Sequence, residues 1–196
     1  RVAVVGAGPA GLSCATTLAE RGHAVDLYEA ASEIGGQFNL AKRIPGKEEF
    51  HETLRYFRRR IEVTGVRLAL GHAATVDELA ALGYDEIVLA TGVTPRDPRI
   101  PGDEEQRGSG RVISYVDLLT NRKPAGRRVA VVGAGGIGFD VSEYLVSDGH
   151  SPTLDPEAWM REWGVADPAQ ARGGLAKPEI TPPARQVYLL QRKASK

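Results

Sequence analysis

The sequence predicts an α/β fold class with two similar halves, and a repeat is the main observation behind this prediction. The octapeptide Arg-Val-Ala-Val-Val-Gly-Ala-Gly stands at residues 1–8 and again, unchanged, at residues 128–135. Each copy is a short β-branched run that ends in glycines, a pattern typical of a buried parallel strand and a tight turn. A helix-forming stretch follows each turn. Because strand, glycine turn and helix begin a Rossmann-like dinucleotide-binding domain, we expect two such domains, both incomplete within this chain.

Periodicity and turn residues place the elements in order. The first helix starts at Pro9, which suits a first helical turn, and ends before Gly22. Apolar residues three or four apart predict an amphipathic helix over residues 47–64. They are Phe50, Leu54, Phe57 and Ile61. We expect helices at residues 9–21, 47–64, 114–120 and 137–146, and strands at residues 24–28, 66–70, 86–90, 129–132 and 187–190.

A Pro-Ala-Gly sequence at residues 124–126 predicts the linker between the halves. The first domain then occupies residues 1–125, without its C-terminal return segment, and the N-terminal part of the second occupies residues 126–196. Residues 148–184 interrupt the second domain, because a Rossmann helix normally leads to its next strand within a few residues. Half of the 12 prolines and both tryptophans fall in this stretch, so we expect an ordered insertion.

Composition narrows the class of protein. Lys and Arg number 25 and Asp and Glu number 25, so the net charge is zero and indicates neither nucleic acid nor an anionic membrane as partner. Apolar runs fall short of the ~20 residues that span a bilayer. The single cysteine, Cys14, cannot form a disulfide, dithiol or iron–sulfur cluster alone, and its helical position predicts a buried thiol. We expect a cytoplasmic protein, and we assign no catalytic residue and no metal ligand in this chain.

The first glycine loop fits the pattern G-x-G-x-x-G through Gly6, Gly8 and Gly11. These glycines permit the turn, the approach of the backbone to a diphosphate, and close packing of helix on strand. Glu29 ends the second expected strand, where a carboxylate accepts hydrogen bonds from ribose hydroxyls and repels a 2′-phosphate. The loop therefore suits FAD or NAD and not NADP.

Two further motifs favour FAD over NAD at this loop. Gly36 and Gln37 follow the ribose acid closely, and paired glycines at this point let the chain pass over a flavin ribityl chain. An Ala-Thr-Gly sequence that includes Thr91 and Gly92 ends a later strand. It resembles the signature with which flavoproteins with two dinucleotide-binding domains close over their cofactor.

The second glycine loop repeats the fingerprint through Gly133, Gly135 and Gly138. After the insertion, the next strand ends where an NAD site would carry a carboxylate, but this sequence reads Gln191-Arg192-Lys193. The guanidinium of Arg192 and the ammonium of Lys193 suit a 2′-phosphate. We therefore expect NADPH, although a solvated basic strand end is the simpler alternative.

Four segments carry a resemblance to a known family. Residues 35–39, 44–50, 135–140 and 190–196 resemble the bacterial NADPH-dependent 2,4-dienoyl-CoA reductases, and the resemblance covers essentially the whole chain. Trimethylamine dehydrogenase is similar more distantly. The resemblance implies a larger protein with an N-terminal β/α barrel that holds FMN and a cysteine cluster that holds a 4Fe-4S centre. Electrons would pass from NADPH to FAD, then through the cluster to FMN and onto a dienoyl-CoA thioester bound in the barrel.

The resemblance also implies individual contacts. The FAD contacts of the family fall on Ala10, Glu29, Gln37, Lys47 and Ala74, and the NADPH contacts fall on Arg192 and Lys193. The substrate acid and base would lie in the barrel, so this chain is expected to be a part of the enzyme.

Two other functions stay open at this point. One is an NADPH-to-flavin electron-transfer module of another oxidoreductase, similar to the small subunit of glutamate synthase. The other is a structural module that binds a nucleotide without redox chemistry, which the Thr91-Gly92 turn and the basic strand end disfavour. A disulfide reductase or thioredoxin reductase is disfavoured because each needs a cysteine pair that this sequence lacks.

Overall fold

The computed structural model describes residues 1–192 and confirms the α/β fold class. The chain forms two compact units. The first comprises Arg1–Lys42 and Glu49–Arg99, and the second comprises Arg43–Glu48 with the residues from Ile100 onward. The predicted domains at 1–125 and 126–196 are defined by the cofactor that each would bind, and that division stays a prediction.

A four-stranded parallel sheet forms the centre of the first unit. Its strands are β1 (Val2–Val5), β2 (Val25–Glu29), β3 (Arg67–Leu70) and β4 (Glu86–Leu89), in the order β3-β2-β1-β4. Val5 is in register with Tyr28 on one side and Leu89 on the other. Because all four strands are parallel, their carboxyl ends meet at one edge, where α/β sheets bind ligands.

Four helices accompany this sheet, two of which the sequence predicted. They are α1 (Pro9–Glu20), α2 (Phe38–Ala41), α3 (Glu49–Thr64) and α4 (Val76–Ala81). Leu54 and Ile61 are buried, which confirms that α3 turns its apolar stripe to the core. Helix α3 starts two residues later than expected, because the N–H of Lys47 closes a turn onto the carbonyl of Ile44 at 3.0 Å. Cys14 is half-buried against the core rather than fully buried.

The second unit combines helices with a two-stranded parallel sheet. Its elements are α5 (Asp103–Gly108), α6 (Tyr115–Leu119), β5 (Arg128–Val132), α7 (Gly136–Val146), α8 (Pro156–Trp163) and β6 (Gln186–Leu190), with short 3₁₀ turns at Pro152–Leu154 and Arg172–Gly174. Leu118, Val141 and Leu145 form its buried cluster. Helix α7 therefore packs its apolar side against α6 and the sheet.

The two identical octapeptides differ in burial, which corrects the expectation of two buried strands. Strand β1 lies between β2 and β4, and Val4 is completely buried. Strand β5 has β6 on one side only among the described residues, and Val132 is 65% exposed. Burial of a strand is thus set by its neighbours and not by its own sequence.

The stretch at 148–184 forms regular structure, as expected of an ordered insertion. Helix α8 begins at a cap in which Asp155 accepts a hydrogen bond from the N–H of Ala158 at 3.0 Å. The rings of Trp159 and Trp163 stack with their centroids 6.0 Å apart. At its end the N–H of Ala184 bonds the carbonyl of Val146 at 2.8 Å, so the chain returns to the end of α7.

Residues 1–192 contain neither a candidate membrane span nor a candidate metal site. None of the helices there has the length and apolar character to cross a bilayer. No set of three or more His, Cys, Asp or Glu side chains in the same range is arranged to hold a metal ion.

Candidate functional site

The first glycine loop joins β1 to α1 in the geometry that the fingerprint predicts. The chain turns at Gly6, whose φ of 105° excludes most other residues, and the N–H of Gly6 bonds the carbonyl of Tyr28 at 2.7 Å. A Cβ at Gly11 would overlap the carbonyl oxygen of Gly6. The third glycine of the pattern therefore lets the helix start directly against the turn.

The two helices that follow the glycine loops begin without a side-chain cap. The first turn of α1, after Gly8, and that of α7, after Gly135, carry no acidic residue and no capping hydrogen bond. By contrast, Thr75, Ser114 and Asp155 cap α4, α6 and α8. Backbone N–H groups and the helix dipole at an uncapped first turn attract anions. Both loops thus fit the diphosphate of a dinucleotide.

Glu29 stands beside the first loop with its carboxylate held by two backbone groups. The N–H of Ala7 donates to Oε2 at 2.7 Å, and the N–H of Ala31 donates to Oε1 at 2.8 Å. Each carboxylate oxygen has a further lone pair. The side chain is therefore fixed at the end of β2, where it can accept hydrogen bonds from ribose hydroxyls.

The paired glycines after β2 lie against the same loop. The N–H of Gly35 bonds the carbonyl of Ala7 at 2.8 Å. A Cβ at Gly36 would lie 3.2 Å from the Cα of Gly8, so this segment passes close to the diphosphate loop. The predicted residues Gly8, Gly36 and Glu29 are thus brought together.

The end of β4 completes the group around the first loop. The N–H of Ala90 bonds the carbonyl of Val5 at 2.8 Å, and a Cβ at Gly6 would lie 3.2 Å from the Cα of Thr91. The side-chain amide of Gln37 donates to the carbonyl of Val93 at 3.4 Å, one residue after Gly92. Backbone groups of Ala7 and Ala90 take part here, and sequence patterns missed them because their side chains carry no signal.

Three residues that were expected to contact FAD lie in environments that differ from one another. Ala10 is exposed in the first turn of α1, and Ala74 packs its methyl group on the cluster of Ala3, Tyr28 and Leu79. Lys47 belongs to the second unit, where its ammonium pairs with Asp140 at 2.7 Å. The expected contact of Lys47 with FAD stays a prediction.

The second glycine loop has the same register as the first. The N–H of Gly133 bonds the carbonyl of Leu190 at 2.9 Å, as Gly6 bonds Tyr28. Val132 pairs with Leu190 as Val5 pairs with Tyr28, and a Cβ at Gly138 would overlap the carbonyl oxygen of Gly133.

The residue after Leu190 therefore takes the place of Glu29. This residue is Gln191, followed by the exposed Arg192, and Lys193 lies outside the described residues. A neutral amide and a guanidinium stand where the first unit has its carboxylate.

A charged cluster holds the amino end of β2, at the opposite end of the strand from the first loop. Burial alone would raise the pKa of Asp26, but hydrogen bonds from Arg67, Tyr84 and Arg1 lower that pKa to about 2. The hydroxyl of Tyr84 donates to Oδ2 of Asp26 at 2.7 Å. Burial and the hydrogen bond with Tyr28 raise the pKa of Tyr84. The cluster ties β2 to β3 and to the segment before β4.

Two glycine loops at the carboxyl ends of parallel strands are typical of a dinucleotide-binding protein. The family model of the pyridine nucleotide-disulphide oxidoreductases matches residues 1–168. The chain belongs to this family, whose members work with FAD and NAD(P)H. Its single cysteine, Cys14, cannot supply a redox pair, so the disulphide chemistry in the family name does not apply within this chain.

The relatives include oxidases, reductases and dehydrogenases. The chain is 35% identical over 156 residues to an NADH oxidase of Thermoanaerobacter brockii, which covers 79% of this chain and 24% of that protein. It is 31% identical over 159 residues to a cinnamate reductase of Clostridium sporogenes, which covers 79% of this chain and 22% of that protein. The chain thus spans about a quarter of the length of these relatives.

One solved structure superposes on nearly the whole chain. It is a 2-naphthoyl-CoA reductase in complex with 2-naphthoyl-CoA, with a TM-score of 0.70 and 26% identity. The match covers 96% of this chain and 32% of that protein. This neighbour is named as a reductase, which agrees with the family match.

Proposed function

We propose that this chain is the FAD- and NADPH-binding part of an NADPH-dependent 2,4-dienoyl-CoA reductase. In this proposal the first loop holds FAD and the second holds NADPH, while an FMN-bearing barrel domain and a 4Fe-4S cluster lie elsewhere in the protein. A dienoyl-CoA thioester binds in the barrel. The whole protein works in the cytoplasm.

The equivalent register of the two loops is the observation that supports assigning a different nucleotide to each. Glu29 and Gln191 follow equivalent backbone hydrogen bonds, so the two ribose positions differ by one negative charge. A carboxylate accepts from a ribose hydroxyl and repels a phosphate, whereas an amide with Arg192 beside it does not. This difference supports FAD at the first loop and NADPH at the second.

The bound cofactors would supply the redox chemistry, in which a hydride leaves NADPH for FAD and its electrons continue to the FMN. The residues of this chain bind and orient. The uncapped first turns after Gly8 and Gly135 hold the diphosphates, and Glu29 fixes one ribose. Gly36, Gln37 and the Thr91-Gly92 turn lie where they can flank the ribityl chain and flavin.

Two comparisons support a substrate whose double bond is conjugated to a carbonyl group, and one of them supports a CoA thioester. One relative is named for the reduction of cinnamate, and the superposed structure is named for a reduction of 2-naphthoyl-CoA. Both are about three to four times as long as this chain, as the shares of their length that it covers require. This length leaves room for the barrel and cluster that the resemblance implies.

Anaerobic spectroscopy of the full-length protein tests the proposal. We expect the purified protein to carry FAD and FMN, NADPH to bleach the flavin absorption, and 2,4-dienoyl-CoA to restore it. A protein that NADPH bleaches and that only another acceptor reoxidises would instead be an electron-transfer module like the small subunit of glutamate synthase. A protein without flavin absorption would overturn both functions.

A further inference from the structure

Segment 43–48 is anchored on the second unit by several contacts around Lys47. Ile44 is only 1% exposed, and the N–H of Gly46 donates to Oγ of Ser151 at 3.4 Å. The hydroxyl of Thr153 donates to Oε2 of Glu48 at 3.0 Å. Burial raises the pKa of Glu48, but hydrogen bonds led by that of Ser151 outweigh it and lower the pKa, so this carboxylate stays charged. The backbone on both sides of Lys47 is thus held without its side chain.

The side chain of Lys47 meets one partner on α7. Its Nζ lies 2.7 Å from Oδ2 of Asp140, and the two side chains are 37% and 31% exposed. Partial burial weakens solvent screening, so this pair interacts more strongly than an exposed surface pair.

Asp140 is close to the second diphosphate loop. It lies four residues after Gly136, the first residue of α7, which is about 6 Å along the helix axis. Residues four apart share a helix face, and Cα–Cβ bonds tilt toward the N-terminus, so Asp140 leans toward the first turn. An unpaired carboxylate there would repel a diphosphate bound at Gly133–Gly138.

We propose that Lys47 is a positioning residue for the second nucleotide: its ammonium neutralises Asp140 and keeps the first turn of α7 able to hold a diphosphate. This inference rests on the proposed NADPH site. It differs from the contact with FAD that family resemblance implies for Lys47, because it acts through Asp140 and on the other nucleotide.

A double-mutant cycle of Lys47 and Asp140 in the full-length protein tests this role. We expect Lys47→Met to weaken NADPH binding about tenfold, since repulsion between a carboxylate and a diphosphate about one helix turn away at a partly screened site is of that size. Asp140→Asn should not weaken binding, and the double variant should bind like the wild type. NADH should lose affinity by the same factor, because both nucleotides carry the diphosphate.

The readouts are the dissociation constants of both nucleotides by titration, the FAD content and the melting temperature. A structural pair would give similar losses of affinity in both single variants and no rescue in the double variant, which would overturn the inference. Loss of FAD from Lys47→Met at unchanged NADPH affinity would also overturn it, in favour of the flavin contact. A wild type that binds FAD but neither nucleotide would overturn the NADPH site itself and this inference with it.

Discussion

The carboxylate of Glu29 accepts a hydrogen bond from the backbone N–H of Ala7 at 2.7 Å, which joins the end of β2 to the first glycine loop. The same carboxylate accepts a hydrogen bond from the backbone N–H of Ala31. One side chain therefore holds both the first glycine loop and the segment after β2. In the proposed FAD site, the carboxylate that would accept from the ribose is therefore in position before the nucleotide enters, which would reduce the ordering that binding requires.

Glu29→Arg should release FAD from the full-length protein. The variant loses a charge-assisted ribose acceptor, which contributes about 1.5–3 kcal/mol, and puts a cation beside a hydroxyl. FAD content after gel filtration measures the effect. Glu62→Arg is the matched control, because Glu62 is exposed on α3 and pairs only with Arg59 among the residues that the structure describes. Equal FAD content in the two variants would contradict the role of Glu29.

Gly8→Ala and Gly11→Ala should separate binding from folding. A Cβ at Gly8 meets no atom within 4 Å, so the variant should fold normally but obstruct the diphosphate and hold less FAD. A Cβ at Gly11 would overlap the carbonyl oxygen of Gly6 and should lower the free energy of unfolding by on the order of 3 kcal/mol. Denaturant unfolding and FAD content distinguish them. Equal stability of the two variants would contradict the close packing at Gly11.

Arg192→Ala with Lys193→Ala should raise the Michaelis constant for NADPH and leave that for NADH nearly unchanged. Two cations stabilise a 2′-phosphate by about 1–3 kcal/mol each, so the preference for NADPH should fall by roughly thirtyfold to ten-thousandfold. Steady-state kinetics with both cofactors measure it. An unaltered ratio would mean that the residues are only a solvated strand end.

Acid should weaken the first unit through Asp26. Its pKa is lowered from 3.8 to about 2 by Arg67, Tyr84 and Arg1, which outweigh the effect of burial. A group whose pKa is depressed in the folded state stabilises above its unfolded pKa, so about 2 kcal/mol is lost as the pH falls from about 4 toward 2. Urea unfolding at several pH values should show this loss in the wild type. The Asp26→Asn variant should be less stable at pH 7 and should not lose this part of its stability in acid. Identical pH profiles of stability for the variant and the wild type would contradict the role of Asp26.

The purified 196-residue chain should have no dienoyl-CoA reductase activity. In the proposed function the substrate, the FMN and the iron–sulfur cluster are all held by another part of the protein. An assay with NADPH and a dienoyl-CoA thioester checks this, with the full-length protein as positive control. Turnover by the chain alone would contradict the placement of the substrate site.

The parallel strands and the two glycine loops could be predicted because the residues of the repeat themselves determine the backbone geometry of the turn. Gly6 and Gly133 both have positive φ, and Gly11 and Gly138 would both collide with the preceding turn if they carried a Cβ. Local pattern determines such features. It also identified Glu29, because the spacing from loop to strand end is short.

Other features depend on distant parts of the chain and could not be predicted. The burial of β5 depends on which strands flank it, and the partner of Lys47 depends on where segment 43–48 packs. The register of β6 could not be predicted because an insertion separates β6 from the second glycine loop. The pairing of Val132 with Leu190 in the structure establishes it. The short helices α2 and α5 have too few residues for periodicity to reveal them.

The insertion marks a point where the molecule tolerates change in length. Four residues join α1 to β2, whereas residues 147–185 join α7 to β6, yet both strands reach the same register at their glycine loops. Closing the longer connection costs only about 2 kcal/mol more, because loop entropy grows with the logarithm of length. Evolution could therefore add a whole folded segment here without moving the glycine loop, and an engineer could graft or exchange a domain at the same position.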